Sequence, residues 1–193
     1  MTARGMALAV ILLATALVPC GSPSRADPID DTTAMCGACH GAAGTPGDET
    51  IPIIWGQQEG YLYLQLRDFK SGVRSNPIMS AIASKLSRDD MLALAAYFAH
   101  KTWPIVSQPA ASDADIRTAR RDIASIGCPA CHSDHFEGAG TVPRIAGQFA
   151  AYLGKTMLDL RTGARANNPG MTNLMRATPE QDFPALEHYL SGL

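Results

Sequence analysis

The pattern Cys-x-x-Cys-His occurs twice in this chain of 193 residues, as Cys36-Gly37-Ala38-Cys39-His40 and as Cys128-Pro129-Ala130-Cys131-His132. That spacing is the attachment signal for c-type haem. Two thiols three positions apart on a helical turn each add to one of the porphyrin's two vinyl groups, and the adjacent histidine offers a ring nitrogen to the iron. Three other readings compete for such cysteines. A thioredoxin-like redox pair belongs in a βαβ setting, which is missing here. A zinc site built from all four thiolates requires both pairs to converge and leaves both trailing histidines without a role. Plain disulfides are the third. Two such motifs in one chain of this size make two covalently bound haems c the expectation.

The motifs stand 92 residues apart, and more than cysteines align at that offset. Asn76-Pro77-Ile78-Met79 matches Asn168-Pro169-Gly170-Met171, so Met79 and Met171 each lie 39 residues after their histidine. With a one-residue gap, Pro52-Ile53-Ile54-Trp55-Gly56-Gln57 matches Pro143-Arg144-Ile145-Ala146-Gly147-Gln148. Tyr61-Leu62 then matches Tyr152-Leu153, and Gly72 with Arg74 matches Gly163 with Arg165. The chain is a tandem duplication.

Ahead of the first repeat, Arg4 precedes an apolar run over residues 6–18, and Ser24-Arg25-Ala26 suits cleavage before Asp27. Residues 1–26 therefore read as a secretory signal peptide, the apolar run being too short to span a bilayer. A rival reading is a lipoprotein signal, Leu17-Val18-Pro19-Cys20 with an acylated Cys20, although Pro19 is stiffer than the small residue expected there. Either reading exports the chain to a compartment that permits thiol oxidation. Without the leader, 14 basic side chains face 18 acidic ones. That balance, with no long basic run, argues against a nucleic-acid binder, and no stretch is long and apolar enough for a bundle of membrane spans.

The duplication divides the remainder into a first domain at residues 27–102, a linker at 103–112 and a second domain at 113–193. Two prolines and small residues around 102–111 predict a semi-extended connection. Units of this size usually need a covalent or cofactor staple. Only 12 aromatics serve both, and a haem supplies each with a large apolar body.

Periodicity predicts an all-α chain. Tyr61, Leu62, Leu64, Leu66 and Phe69 form a broad apolar face over residues 59–71, and Met91, Leu94, Ala95 and Phe98 recur at helical spacing after an N-cap at Ser87. Thr178-Pro179-Glu180-Gln181 predicts a capping box ahead of the last helix. Each half is expected to hold an N-terminal helix ending in the haem motif, a middle helix, a methionine loop and a C-terminal helix.

His40 and His132 are the expected proximal iron ligands. Among the methionines, Met91 and Met157 sit in apolar helical faces and read as core. Met79 and Met171 follow Asn-Pro-x, where proline breaks the preceding segment, and they recur in both repeats. Met175 is the rival in the second half, with Ala83 as its counterpart. His100, His135 and His188 have no histidine counterparts and read as surface or helix-end residues. A Met/His pair fills both axial positions and raises the potential relative to two imidazoles, leaving outer-sphere electron transfer and no convincing acid, base or nucleophile.

The paired C-x-x-C-H motifs, the segments ending in Gly-Gln and Tyr-Leu, Phe69-Lys70-Ser71-Gly72-Val73-Arg74 and the Asn-Pro-x-Met segments resemble the dihaem cytochrome c4 family over essentially the whole chain after residue 26. The resemblance implies two tandem class I cytochrome c domains packed about a pseudo-twofold axis. It also implies that the Pro52 and Pro143 carbonyls orient the proximal imidazoles. It further implies an electron carrier of the bacterial periplasm, mobile or loosely membrane-associated, rather than an enzyme. Its partners would be redox proteins: a cytochrome bc complex, a terminal oxidase or a periplasmic dehydrogenase. The alternatives are a dihaem subunit like that of flavocytochrome c sulfide dehydrogenase, or a haem enzyme such as a peroxidase or a thiosulfate-oxidising cytochrome. Trp55 opposite Ala146, and the extra residue at Asn167-Asn168, predict unequal haem pockets.

Overall fold

The computed structural model describes Met1 and residues 28–193. Apart from Met1, the expected leader, Cys20 included, lies outside the described residues. In the first half α1 (Pro28–His40), α2 (Glu59–Ser71), α3 (Pro77–Ala83) and α4 (Arg88–Ala99) follow in order. In the second half come α5 (Asp113–Ile126), α6 (Pro129–His132), α7 (Ala150–Thr162), α8 (Pro169–Ala177), a 3₁₀ turn at Glu180–Asp182 and α9 (Phe183–Ser191). Among the described residues there is no strand, only an isolated bridge between Ala139 and Val142. No described helix is long and apolar enough to cross a membrane.

Matching residues stop and start the matching helices. Gly72 and Gly163 end α2 and α7 in the left-handed region, at φ of 81° and 85°, a conformation glycine adopts without penalty. The Ser87 hydroxyl accepts from the Asp90 amide while the Asp90 carboxylate accepts from the Ser87 amide, closing the box that starts α4. α2 packs on α4 and α3, with α1 against α4; α7 packs on α8 and α9, with α5 against α9. Each half thereby encloses its own apolar cluster. Met91 is buried in the first, and Met157 and Met175 in the second.

Three local expectations are corrected. Thr178 does not cap the last helix: its hydroxyl donates to the Leu174 carbonyl at 2.8 Å and closes α8 instead. α9 begins only at Phe183, because Pro184 has no amide to donate and is accommodated in the first turn. The second haem motif does not end a long helix as the first does. Gly127 stops α5 at φ 77°, and Pro129 opens the separate turn α6. The methionine loops are the first turns of α3 and α8. Asn76 accepts from the amides of Ile78 and Met79, and Asn168 from that of Met171, with a proline at each helix start. Proline both breaks a preceding segment and starts a helix, and here an asparagine cap makes it the starter.

The connection over residues 102–112 carries no helix or strand, and it is fastened down. Gln108 donates to the carbonyls of Gln148 and Ser191, both at 3.1 Å, and accepts from the Ala150 amide at 2.9 Å. The Arg144 guanidinium lies 4.8 Å from the centre of the Trp103 ring.

Candidate haem sites and the cluster between them

All four motif cysteines are free, with Cys36 and Cys128 half-buried and Cys39 and Cys131 exposed. Burial pushes the Cys36 and Cys128 thiols above the ordinary cysteine value. Among the described residues no three His, Cys, Asp or Glu side chains converge as a metal-ion cage, so a four-thiolate zinc site has no geometric basis.

Both histidines are buried, and both are held alike. His40 Nδ1 lies 2.8 Å from the Pro52 carbonyl oxygen, and His132 Nδ1 lies 2.9 Å from that of Pro143. A carbonyl only accepts, so each Nδ1 carries the proton and each Nε2 keeps its lone pair. Burial holds both imidazoles below the ordinary histidine value, against the opposing pull of that hydrogen bond. Neutral, oriented imidazoles of this kind are what iron ligation requires.

The methionines differ in burial. Met91, Met157 and Met175 are core residues, whereas Met79 and Met171 are half-buried at the starts of α3 and α8. In the second half Cys128 and Met171 pack against one apolar cluster; in the first half Cys36 packs on the corresponding cluster and Met79 stands outside it. His100 Nδ1 donates to the Ala96 carbonyl at 2.7 Å at the end of α4, His135 is exposed, and His188 faces Asp115 at 3.5 Å.

Two glutamines join the halves. The Gln148 amide group donates to the Ile53 carbonyl and accepts from the Ile53 amide, both at 3.0 Å. Gln57 does the same to Arg144, donating at 2.9 Å and accepting at 2.7 Å. Ile53 follows Pro52 and Arg144 follows Pro143, so each half grips the residue next to the other half's histidine-orienting proline.

A second shared cluster lies farther along the repeats. Arg74 donates to the Tyr152 hydroxyl and Arg165 to the Tyr61 hydroxyl, both at 3.2 Å, so each arginine reaches the other half's tyrosine. Both guanidiniums also donate to Gln65 Oε1, at 2.8 and 3.1 Å. Burial alone would raise the Tyr152 hydroxyl, but Arg74 and Arg165 overcome it and draw the group down to about 7. Two guanidiniums and two phenols facing one another, with enough positive charge to acidify a phenol, are a donor set suited to carboxylates. Haem carries two such groups. Free thiols, oriented imidazoles, apolar clusters and this cationic seam therefore fit the cofactor. Sequence reasoning aligned Tyr61, Tyr152, Arg74, Arg165, Gln57 and Gln148 without finding a role for them; their recurrence in both repeats was the available signal.

No protein-family model matches the chain. It is 34% identical over 170 residues to cytochrome c4 of Pseudomonas aeruginosa, covering 83% of this chain and 84% of that one. It is 36% identical over 171 residues to a thiosulfate dehydrogenase electron acceptor of Stutzerimonas stutzeri, covering 82% and 78%. The fold superimposes on reduced recombinant cytochrome c4 from Pseudomonas stutzeri with a TM-score of 0.75, at 29% identity over 86% of this chain and 96% of that one. The duplicated helical halves, the twin C-x-x-C-H sites and this likeness over four-fifths of both chains make the protein a member of the cytochrome c4 family, dihaem c-type cytochromes that transfer electrons.

Proposed function

We propose that the protein carries single electrons in the bacterial periplasm between respiratory donors and a terminal acceptor such as an oxidase. In this reading residues 27–102 and 113–193 are its two haem domains. Cys36 and Cys39 hold one haem, with His40 and Met79 as axial ligands; Cys128 and Cys131 hold the other, with His132 and Met171. The observation that carries the reading is the repeated geometry: an imidazole pinned through Nδ1 to a proline carbonyl, and a methionine fixed by an asparagine cap, in both halves.

Bound haem iron supplies reversible one-electron chemistry. The residues do the rest. The proline carbonyls fix each imidazole's tautomer and angle, which limits the reorganisation that accompanies a change of charge. His40 with Met79, and His132 with Met171, would supply both protein donors to the iron of their half. Arg74, Arg165, Tyr61 and Tyr152 would offer their donors to the carboxylates of the bound group, compensating that charge away from water.

Substituting Met79 and Met171 one at a time by alanine is expected to remove about half of the thioether-to-iron absorption band each time and to lower the potential of that half. A band untouched by the Met171 change and lost on Met175 substitution would reassign the second ligand. The similarity to a thiosulfate dehydrogenase electron acceptor favours a second reading in which the donor is a periplasmic dehydrogenase. Reduction kinetics against a thiosulfate dehydrogenase and against a cytochrome bc complex separate the two: the physiological donor reduces the protein faster, with a rate that falls as salt screens the encounter.

A further inference from the structure

The cationic cluster shared by the two halves is not symmetric, and one residue makes it so. Asn167 is the residue that the second repeat has in excess, inserted between the counterparts of Ser75 and Asn76. It lies across the seam. Its Nδ2 donates to Gln65 at 3.0 Å and to Asp68 at 2.8 Å, and its Oδ1 accepts from Arg165 at 2.9 Å.

The repeat position of Asp68 is filled in the second half by Asp159, and both serve the backbone identically. The Arg74 amide donates to the Asp68 carbonyl at 3.0 Å and the Arg165 amide to the Asp159 carbonyl at 2.9 Å. Their carboxylates differ. That of Asp68 is 6% exposed, turned into the seam and held by Asn167 and Arg67. That of Asp159 is 30% exposed and pairs outward with Lys155. Gln65, which both arginines share, has Thr156 as its counterpart. The cluster thus receives one buried carboxylate, from one side only.

We propose that Asn167 is a positioning residue: itself fixed by Gln65 and Arg165, it holds the Asp68 carboxylate in the seam, and this one-sided charge sets the separation between the two haem potentials. The physical basis is that a negative charge in a weakly polarisable interior favours the more positive, oxidised state of the nearer redox centre. Because the buried carboxylate comes from the first half alone, while its counterpart Asp159 pairs outward, its effect on the two centres is unequal. The proposal rests on the two-haem reading.

The test is a spectroelectrochemical titration of the haem-loaded protein, comparing wild type with D68N, N167A and D159N. D68N is expected to raise one potential more than the other and to change the equilibrium constant for electron exchange between the haems roughly tenfold, about 59 mV of separation for one electron. N167A is expected to act in the same sense and on the same haem, by roughly threefold. D159N, whose carboxylate faces solvent, should leave the separation unchanged. Equal shifts at both haems, no shift with D68N or N167A, or an equal effect from D159N would each overturn the proposal. A destabilised N167A protein with unaltered potentials also overturns it, since that is the behaviour of a purely structural latch. If D68N fails to fold, the comparison of N167A with D159N decides. Covalent haem content and the thioether band of the wild type report separately on the two-haem reading, so its failure shows there and not in the potentials.

Discussion

Replacing Gln148 by alanine is expected to destabilise the folded protein by about 3–5 kcal/mol. Its side chain satisfies three buried backbone groups at once: the Ile53 amide and carbonyl in the other half and the Phe149 amide in its own, each at 3.0 Å. Ile53 is 1% exposed, so water cannot replace the lost partner without opening the seam. A buried group left unpaired costs about 1–3 kcal/mol, and three groups each near the lower end of that give the stated range. A thermal scan should register a midpoint lower by roughly 6–20 °C, at about 2–4 °C per kcal/mol for a chain of this size. Gln148→Glu should be no better. It retains an acceptor for the two amides but has no donor for the Ile53 carbonyl, and it places a charge in the seam. Gln57→Ala should behave similarly, since Gln57 serves Arg144 and the Gln58 amide in the same manner. The double variant should lose cooperativity between halves and unfold in two steps. A single unshifted transition in any of these would mean that the grips do not hold the halves together.

These grips show where the sequence stops being legible. The cysteines, histidines and Asn-Pro-x-Met segments carry their chemistry in side-chain type and spacing, so the 92-residue offset exposes them. Gln57 and Gln148 recur as faithfully, but their partners are backbone groups about ninety residues away, and a backbone partner has no letter in the sequence. Asn167 is visible as an extra residue; that it lies across the seam to Asp68 is visible only in three dimensions. Other misreadings come from signals that serve two purposes. Thr178 satisfies a capping-box pattern, yet Pro184 delays the helix start and leaves the hydroxyl to close the preceding helix. Pro77 and Pro169 fit the pattern of a breaker, yet the asparagine before each caps a helix and makes the proline its first residue. The periodic helices were easier, and residues 59–71 form α2 with the boundaries expected of them. Long apolar periodicity survives tertiary packing, whereas one-residue caps compete with it.

The unequal pockets predicted from Trp55 and Ala146 have a partner change that makes a sharper experiment. Gly44 and Phe136 occupy matching repeat positions, just as Trp55 and Ala146 do. The first half pairs a glycine with a tryptophan: a Cβ added at Gly44 would lie 2.5 Å from the Trp55 ring. The second half reverses the sizes. Phe136 and Ala146 are both buried in one cluster, and the Phe136 carbonyl accepts from the Ala146 amide at 3.1 Å. The left-handed backbone is common to both, at φ 87° for Gly44 and 56° for Phe136. Gly44→Ala is therefore expected to cost about 2–5 kcal/mol, combining roughly 1–2 kcal/mol for the left-handed conformation with about 1–3 kcal/mol for overpacking against the indole. Trp55→Ala alone should cost about 2–4 kcal/mol, less than for a fully buried ring because Trp55 is half-buried. The pair G44F and W55A recreates the second half's arrangement, so the double variant should be more stable than the sum of the singles predicts, with a coupling of about 1–3 kcal/mol. The haem absorption spectrum supplies an independent readout, because the swap exchanges an indole for a phenyl in the first half alone. Strict additivity in the cycle would show that the two halves do not use these positions as exchangeable large and small partners.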